Sequence, residues 1–146
     1  MFKKAIFLLA LLFSSLFIQA QNWQTDLQTA EKIAAEKNEP IVLVFQGSDW
    51  CAPCIKLDRS VWSTETFKSY SKEHFVMLQA DFPRRKENAL SEEQQEKNNQ
   101  LAEKYNKNGI FPLVVVLDKN GTVLGETGYM KTTPEEYIKY LESFKG

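Results

Sequence analysis

Cys51 and Cys54 are the only cysteines of the chain, and they stand in Trp50-Cys51-Ala52-Pro53-Cys54. A bridge across so short a loop removes little entropy from the unfolded chain and ties nothing distant together, so it makes a weak staple. The same spacing suits exchange chemistry. The thiolate is the nucleophilic form of cysteine, and a helix N-terminus offers free N–H groups and partial positive charge that favour it. Pro53 fits a first helical turn, where its missing N–H costs nothing. Cys51 is then expected at or before a helix start as the exposed nucleophile. Cys54, one turn later, lies within reach of a mixed disulfide formed on Cys51. A zinc site needs about four ligands, and the chain offers these two cysteines and His74, so no metal and no other cofactor is expected. A static disulfide stays open as a second reading. His74 is read as a surface residue at a helix end, without a catalytic role.

The elements that must position this pair alternate along the chain. Asn22 to Lys37 predicts a helix, with Trp23, Leu27, Ala30, Ile33 and Ala34 at helical spacing. Asn38-Glu39-Pro40 stops it. Ile41 to Phe45 is an unbroken run of strand formers, as expected of a strand covered on both faces. Gln46 to Asp49 is a loop, and the helix of the cysteines follows, with a break near Ser63-Thr64. Phe75 to Asp81 is a second strand, and Pro83 to Ala89 a polar, basic surface loop. Ser91-Glu92-Glu93-Gln94 has capping-box spacing and opens a very polar helix. The long segment from Pro83 to Gln100 is read as solvated, since charge runs usually face water; a lid or partner contact over the cysteines is the sharper alternative. Leu113 to Leu117 is the most strand-like run, and Asn120-Gly121 turns it into an antiparallel partner from Thr122 to Thr127. Thr133, Pro134 and Glu136 announce a last helix through Phe144. This order predicts an α/β fold with a central mixed sheet flanked by helices.

Met1 to Ala20 is set apart from that domain. A basic head at Lys3-Lys4, an apolar run from Ala5 to Phe13 and small Ala20 before a cut have the form of a secretory signal peptide. The apolar run is short for a bilayer span and is interrupted by Ser14 and Ser15. The expected mature domain is 21–146, periplasmic or secreted, without stable membrane insertion after cleavage. Losing Lys3 and Lys4 from 18 basic residues leaves 16 against 19 acids, a net charge of −3. Such a balance gives no electrostatic case for nucleic acid.

With a strand before it and a helix after it, the WCxxC resembles the thioredoxin superfamily, particularly its short exported thioredoxin-like members. Gly109-Ile110-Phe111-Pro112 before a strand resembles the loop that carries the family's cis-proline. Asp118-Lys119-Asn120-Gly121 and Gly128 resemble the hairpin turn and the glycine after it. The resemblance implies a thioredoxin-like fold and a thiol–disulfide oxidoreductase acting on exported proteins through Cys51 and Cys54. It implies a cis Pro112 against the disulfide, and a Phe111 whose backbone receives an extended substrate strand. Trp50 would be a partly exposed wall of the substrate surface, with core packing as the alternative.

Two departures from the family stand out. A buried aspartate six residues before the first cysteine is replaced by Phe45, and a lysine on the next strand by Met77. The proton acceptor for Cys54 is thereby left unassigned, with Asp49 and Asp81 as substitutes. No histidine lies between the cysteines to stabilise a thiolate, and Asp49 near Cys51 would disfavour one, whereas Lys56 would favour it. A less stabilised thiolate makes a more reducing couple. The expected activity is therefore a protein-disulfide reductase, fed by another thiol protein or a membrane donor. A disulfide isomerase and a non-catalytic peptide-binding module are the alternatives.

Overall fold

The computed structural model describes residues 21–146, so the leader expected at 1–20 lies outside the described residues. Among the described residues, five α-helices and four strands follow one another as α1 (Leu27–Lys37), β1 (Ile41–Gln46), α2 (Ala52–Leu57), α3 (Glu65–His74), β2 (Val76–Asp81), α4 (Glu92–Tyr105), β3 (Leu113–Leu117), β4 (Val123–Thr127) and α5 (Pro134–Glu142). The strands form one mixed sheet in the order β2-β1-β3-β4. β1 and β2 run parallel, while β3 is antiparallel to β1 and β4 to β3. This is the central mixed sheet with flanking helices that the sequence implies. Among the described residues, no helix is long and apolar enough to cross a membrane.

Alternation along the strands divides the core in two. Ile41, Leu43 and Phe45 point to one face with Leu78, Ala80, Val115 and Leu117, and are covered by Ala30 and Ala34 of α1 and Leu101 and Tyr105 of α4. Val42, Val44, Met77, Val114 and Val116 point to the other, covered by Leu57, Phe67 and the α5 residues Tyr137, Ile138 and Leu141. With helices on both faces, β1 has no solvent side, which is why its sequence runs apolar without alternation.

The first helix is shorter than its periodicity suggests. It begins at Leu27, because Asp26 takes an extended conformation and its carboxylate accepts the Thr29 N–H at 2.9 Å, an N-cap. Upstream, Gln24 pairs with Leu78 as a parallel bridge on the outer edge of β2, through Gln24 N–H to Met77 O (2.8 Å) and Gln79 N–H to Gln24 O (3.0 Å). Trp23, expected on the helix, instead sets its ring edge-on to Trp62, 6.0 Å between centroids.

The break at Ser63-Thr64 is present, with Thr64 capping α3. Between α2 and that break, Asp58–Trp62 forms a π-helical turn that buries Val61 and Trp62. At Ser91 half of the capping box forms: its hydroxyl accepts the Gln94 N–H. The Gln94 side chain goes instead to Thr25 O and Asn98 Oδ1. The full box is at Thr133 and Glu136, and α5 ends at Glu142, not Phe144.

Candidate thiol–disulfide site

β1 delivers the chain to the sheet's C-terminal end, where the loop from Gly47 turns back on itself. The Gly47 carbonyl accepts both the Trp50 N–H (3.2 Å) and the Cys51 N–H (2.9 Å). Cys51 then caps α2 in an extended conformation, its Sγ accepting the Cys54 N–H at 3.3 Å. Pro53 lies in the first turn, where a proline leaves no intrahelical bond unmade. Cys51 and Cys54 are joined in a disulfide, with 5.2 Å between their Cα atoms.

Cys51 was expected to be the exposed member of the pair, and in this oxidised state it is not. Both cysteines are 4% exposed. The Cys51 sulfur is bonded to that of Cys54 and accepts the Cys54 N–H.

The Phe111–Pro112 peptide bond is cis, as the resemblance implies. Leu113 lies opposite Phe45 in the β1–β3 ladder, so the buried Pro112 stands at the end of β1 from which the cysteine loop departs. The approach to it is held by Asn106, whose side chain donates to Ile110 O and accepts the Ile110 N–H, both at 2.9 Å. Gly109, with φ +62°, supplies the left-handed residue of this turn. Phe111 N–H and C=O make no hydrogen bond among the described residues.

Trp50 is half-buried and closely engaged. Its indole Nε1–H donates to Phe82 O at 2.7 Å, and its ring meets Phe111 edge-on at 5.5 Å between centroids. The Arg84 guanidinium carbon lies 3.6 Å above the indole. A side chain at Gly47 would overlap that ring, so this glycine is required by close approach.

Neither carboxylate considered as a proton acceptor is free. Asp49 accepts the backbone N–H groups of Arg84 (2.9 Å) and Arg85 (3.0 Å) and the Asn88 side-chain amide (3.0 Å). The Arg84 N–H, then the Asn88 amide, hold its carboxyl down at about 2. Asp81 accepts the Ser48 N–H (2.9 Å) and hydroxyl (2.6 Å). Phe45 and Met77 do not face each other. Phe45 joins Leu78 and Ala80 on one side of the sheet, Met77 the other. His74 ends α3, its ring stacked on Tyr70.

The structure thus brings Trp50, Cys51, Cys54, Phe111 and Pro112 to one end of the sheet. It adds Gly47 and Arg84, which the sequence places in loops, and Phe82, which falls between the predicted strand and loop. The segment from Pro83 to Gln100 is read from sequence as solvated, with a lid or partner contact over the cysteines as the alternative; Asp49 and Trp50, the two residues before Cys51, bind its start at Arg84 and Arg85 and the adjoining Phe82. The apolar pair Phe82-Pro83 opening an otherwise polar loop was the signal available. A cavity of about 580 Å³ lined by Gln21, Ile33, Ser71 and Phe75 shares no residue with this site.

The family profile of the thioredoxin-like domain matches residues 27–145. The chain is 32% identical over 121 residues to the disulfide bond reductase DsbH of Chlamydia pneumoniae, covering 83% of this chain and 70% of that protein. A solved structure of a DsbH oxidoreductase superposes with a TM-score of 0.77 at 32% identity, over 84% of this chain and 83% of the other. A thioredoxin from Thermus thermophilus shares the fold, with a TM-score of 0.60 at 17% identity, over 84% and 85% of the two chains.

Proposed function

We propose, for a chain that belongs to the thioredoxin-like domain family, a protein-disulfide reductase working through Cys51 and Cys54. The observation that carries this reading is the disulfide closed within one helical turn, with Cys51 as the cap of α2. In the reduced protein the Cys51 thiolate attacks a substrate disulfide, forming a Cys51–substrate mixed disulfide and releasing one substrate thiolate. The Cys54 thiolate then attacks the Cys51 sulfur, which releases the second substrate thiolate and closes the Cys51–Cys54 bond. The substrate is reduced by two electrons and the pair oxidised by two. An upstream dithiol, a thiol protein or a membrane donor, restores the pair by the reverse exchange.

Two features support the reducing direction. The residues between the cysteines are Ala52 and Pro53, with no cation to stabilise a thiolate. The relative at 32% identity is a disulfide bond reductase. Phe111, with its free backbone groups, supports docking of an extended substrate segment beside the sulfurs, with Trp50 and Pro112 as its walls. The Met1–Ala20 leader supports work in the periplasm or outside the cell.

The deciding measurement is the reduction potential of the pair, by equilibration with glutathione or dithiothreitol. A value near about −270 mV supports a reductase, and one near about −120 mV makes the protein an oxidant. A pair that stays oxidised throughout leaves only a peptide-binding module.

A further inference from the structure

Arg84 stands out among the cations of this chain because its position is fixed. Its backbone N–H is held by Asp49 at 2.9 Å, and its guanidinium carbon lies over Trp50, 3.6 Å from the ring centre. Phe82, two residues earlier, is tied to the same indole through its carbonyl. An arginine so stacked has already lost much of the rotamer freedom that binding would otherwise cost it. Stacking uses the face of the guanidinium and leaves its edge, where the N–H donors lie, for another group.

That edge has no protein carboxylate. Arg84, Arg85 and Lys86 are all exposed, and among the described residues none of the three makes an ion pair. Asp49 spends both oxygens on loop N–H groups and the Asn88 amide, and its charge bears on Arg85. Glu92 and Glu96 line one cavity with Arg84, Arg85 and Lys86 without closing an ion pair to them. A chain of net negative charge therefore presents an ordered, unpaired arginine on the ring directly preceding Cys51.

We infer that Arg84, stacked on Trp50, is a substrate-specificity residue that receives an aspartate or glutamate carboxylate of a protein segment flanking the disulfide to be exchanged. This rests on the reading of Cys51 and Cys54 as a pair that meets protein disulfides, and it adds the class of substrate: acidic at the cystine. A guanidinium matches a carboxylate through two parallel N–H···O bonds, which fixes orientation as well as charge. Arg85 and Lys86 extend the positive field without being stacked, so they contribute attraction over distance and less geometry.

Binding to the oxidised protein separates this inference from the direction of electron flow. The probes are two peptides of one sequence with serine in place of cysteine, flanked by aspartate in the first and asparagine in the second. At low ionic strength the wild-type protein should bind the aspartate peptide about fivefold more tightly. In Arg84→Gln the ratio should fall below about twofold, and Arg84→Lys should retain part of it. Lys119→Gln, the same loss of charge at the hairpin turn on the opposite end of the sheet, should leave the ratio as in wild type. Equal affinities in wild type, a preference that survives Arg84→Gln, or an equal loss in Lys119→Gln each overturn the inference. Turnover of the matching cystine peptides reads the reductase proposal on its own. Charge-selective binding without turnover removes the reductase and leaves the Arg84 site, whereas turnover without charge preference does the opposite.

Discussion

Phe45 and Met77 lie on opposite faces of the sheet: Phe45 pairs in register with Ala80 and shares its side with Leu78, while Met77 is buried among Val42, Val44 and Trp62. The position six residues before Cys51 is thus surrounded by carbon on its own face and has no cation across from it. Phe45→Asp should destabilise the fold by at least about 4 kcal/mol, since it deletes a buried ring and strands a carboxylate without a partner. It should not speed thiol exchange. Urea unfolding and turnover on one preparation check both, and a variant that is stable and faster would overturn this account.

Gly47→Ala should place a methyl group inside the Trp50 indole. Relief requires the ring to move, which breaks its bond to Phe82 O and its contact with Phe111. A loss of about 1–3 kcal/mol is expected from such overpacking, with a changed near-ultraviolet signal from the displaced indole. An unaltered spectrum and stability would show that the turn has room to spare.

Asp49→Asn should free the loop of residues 82–88 while leaving the sheet intact. Amide exchange at Arg84 and Arg85 should accelerate by about tenfold, as charge-assisted bonds give way to neutral ones, with the β1 amides unchanged. Equal protection in both proteins would mean that Trp50 alone holds the loop.

The same carboxylate makes the loop pH-dependent. The carboxyl of Asp49 is lowered from its ordinary 3.8 to about 2, so the folded state prefers the charged form. Its contribution is complete above the unfolded value and fades as pH falls through the folded one. Protection at Arg84 and Arg85 should therefore hold down to about pH 4 and decline towards pH 2, following the Asp49 carboxyl resonance. A decline centred above pH 4 would assign it to another group.

Cys54→Ser should accumulate a mixed disulfide on Cys51 when the protein meets a substrate disulfide, since the resolving thiolate is missing. Cys51→Ser should lower turnover to background. Mass spectrometry of the intact adduct distinguishes the two, and an adduct on Cys54 in Cys51→Ser that forms equally fast would reverse their roles.

Much of the architecture was legible because local chemistry and tertiary context agree. The apolar run Ile41–Phe45, the Asn120-Gly121 turn and the Thr133-Pro134-Glu136 cap each specify one outcome, and each occurs. The first helix was misjudged because Trp23 fits a helical period, while Asp26 and the edge of β2 compete for the same residues and win. Register between β1 and β2 is a long-range property, so the sequence could show that Phe45 and Met77 are apolar but not that they face apart. The cysteine pair and cis Pro112 were visible as motifs. The loop carrying Arg84 was not, because its partners Asp49 and Trp50 are more than 30 residues away and bind mainly its backbone.

That last detail bears on how such a protein can diverge. Asp49 grips the main-chain amides of residues 84 and 85, and Trp50 a main-chain carbonyl at residue 82, so apart from the Asn88 amide and the Arg84 contact with the indole the fastening is indifferent to side-chain identity. Mutation can rewrite the chemistry displayed beside the sulfurs without unfastening the loop or touching the cysteines. Drift in target choice and upkeep of the redox pair are inherited on separate stretches of chain, and an engineer could exchange one while leaving the other alone.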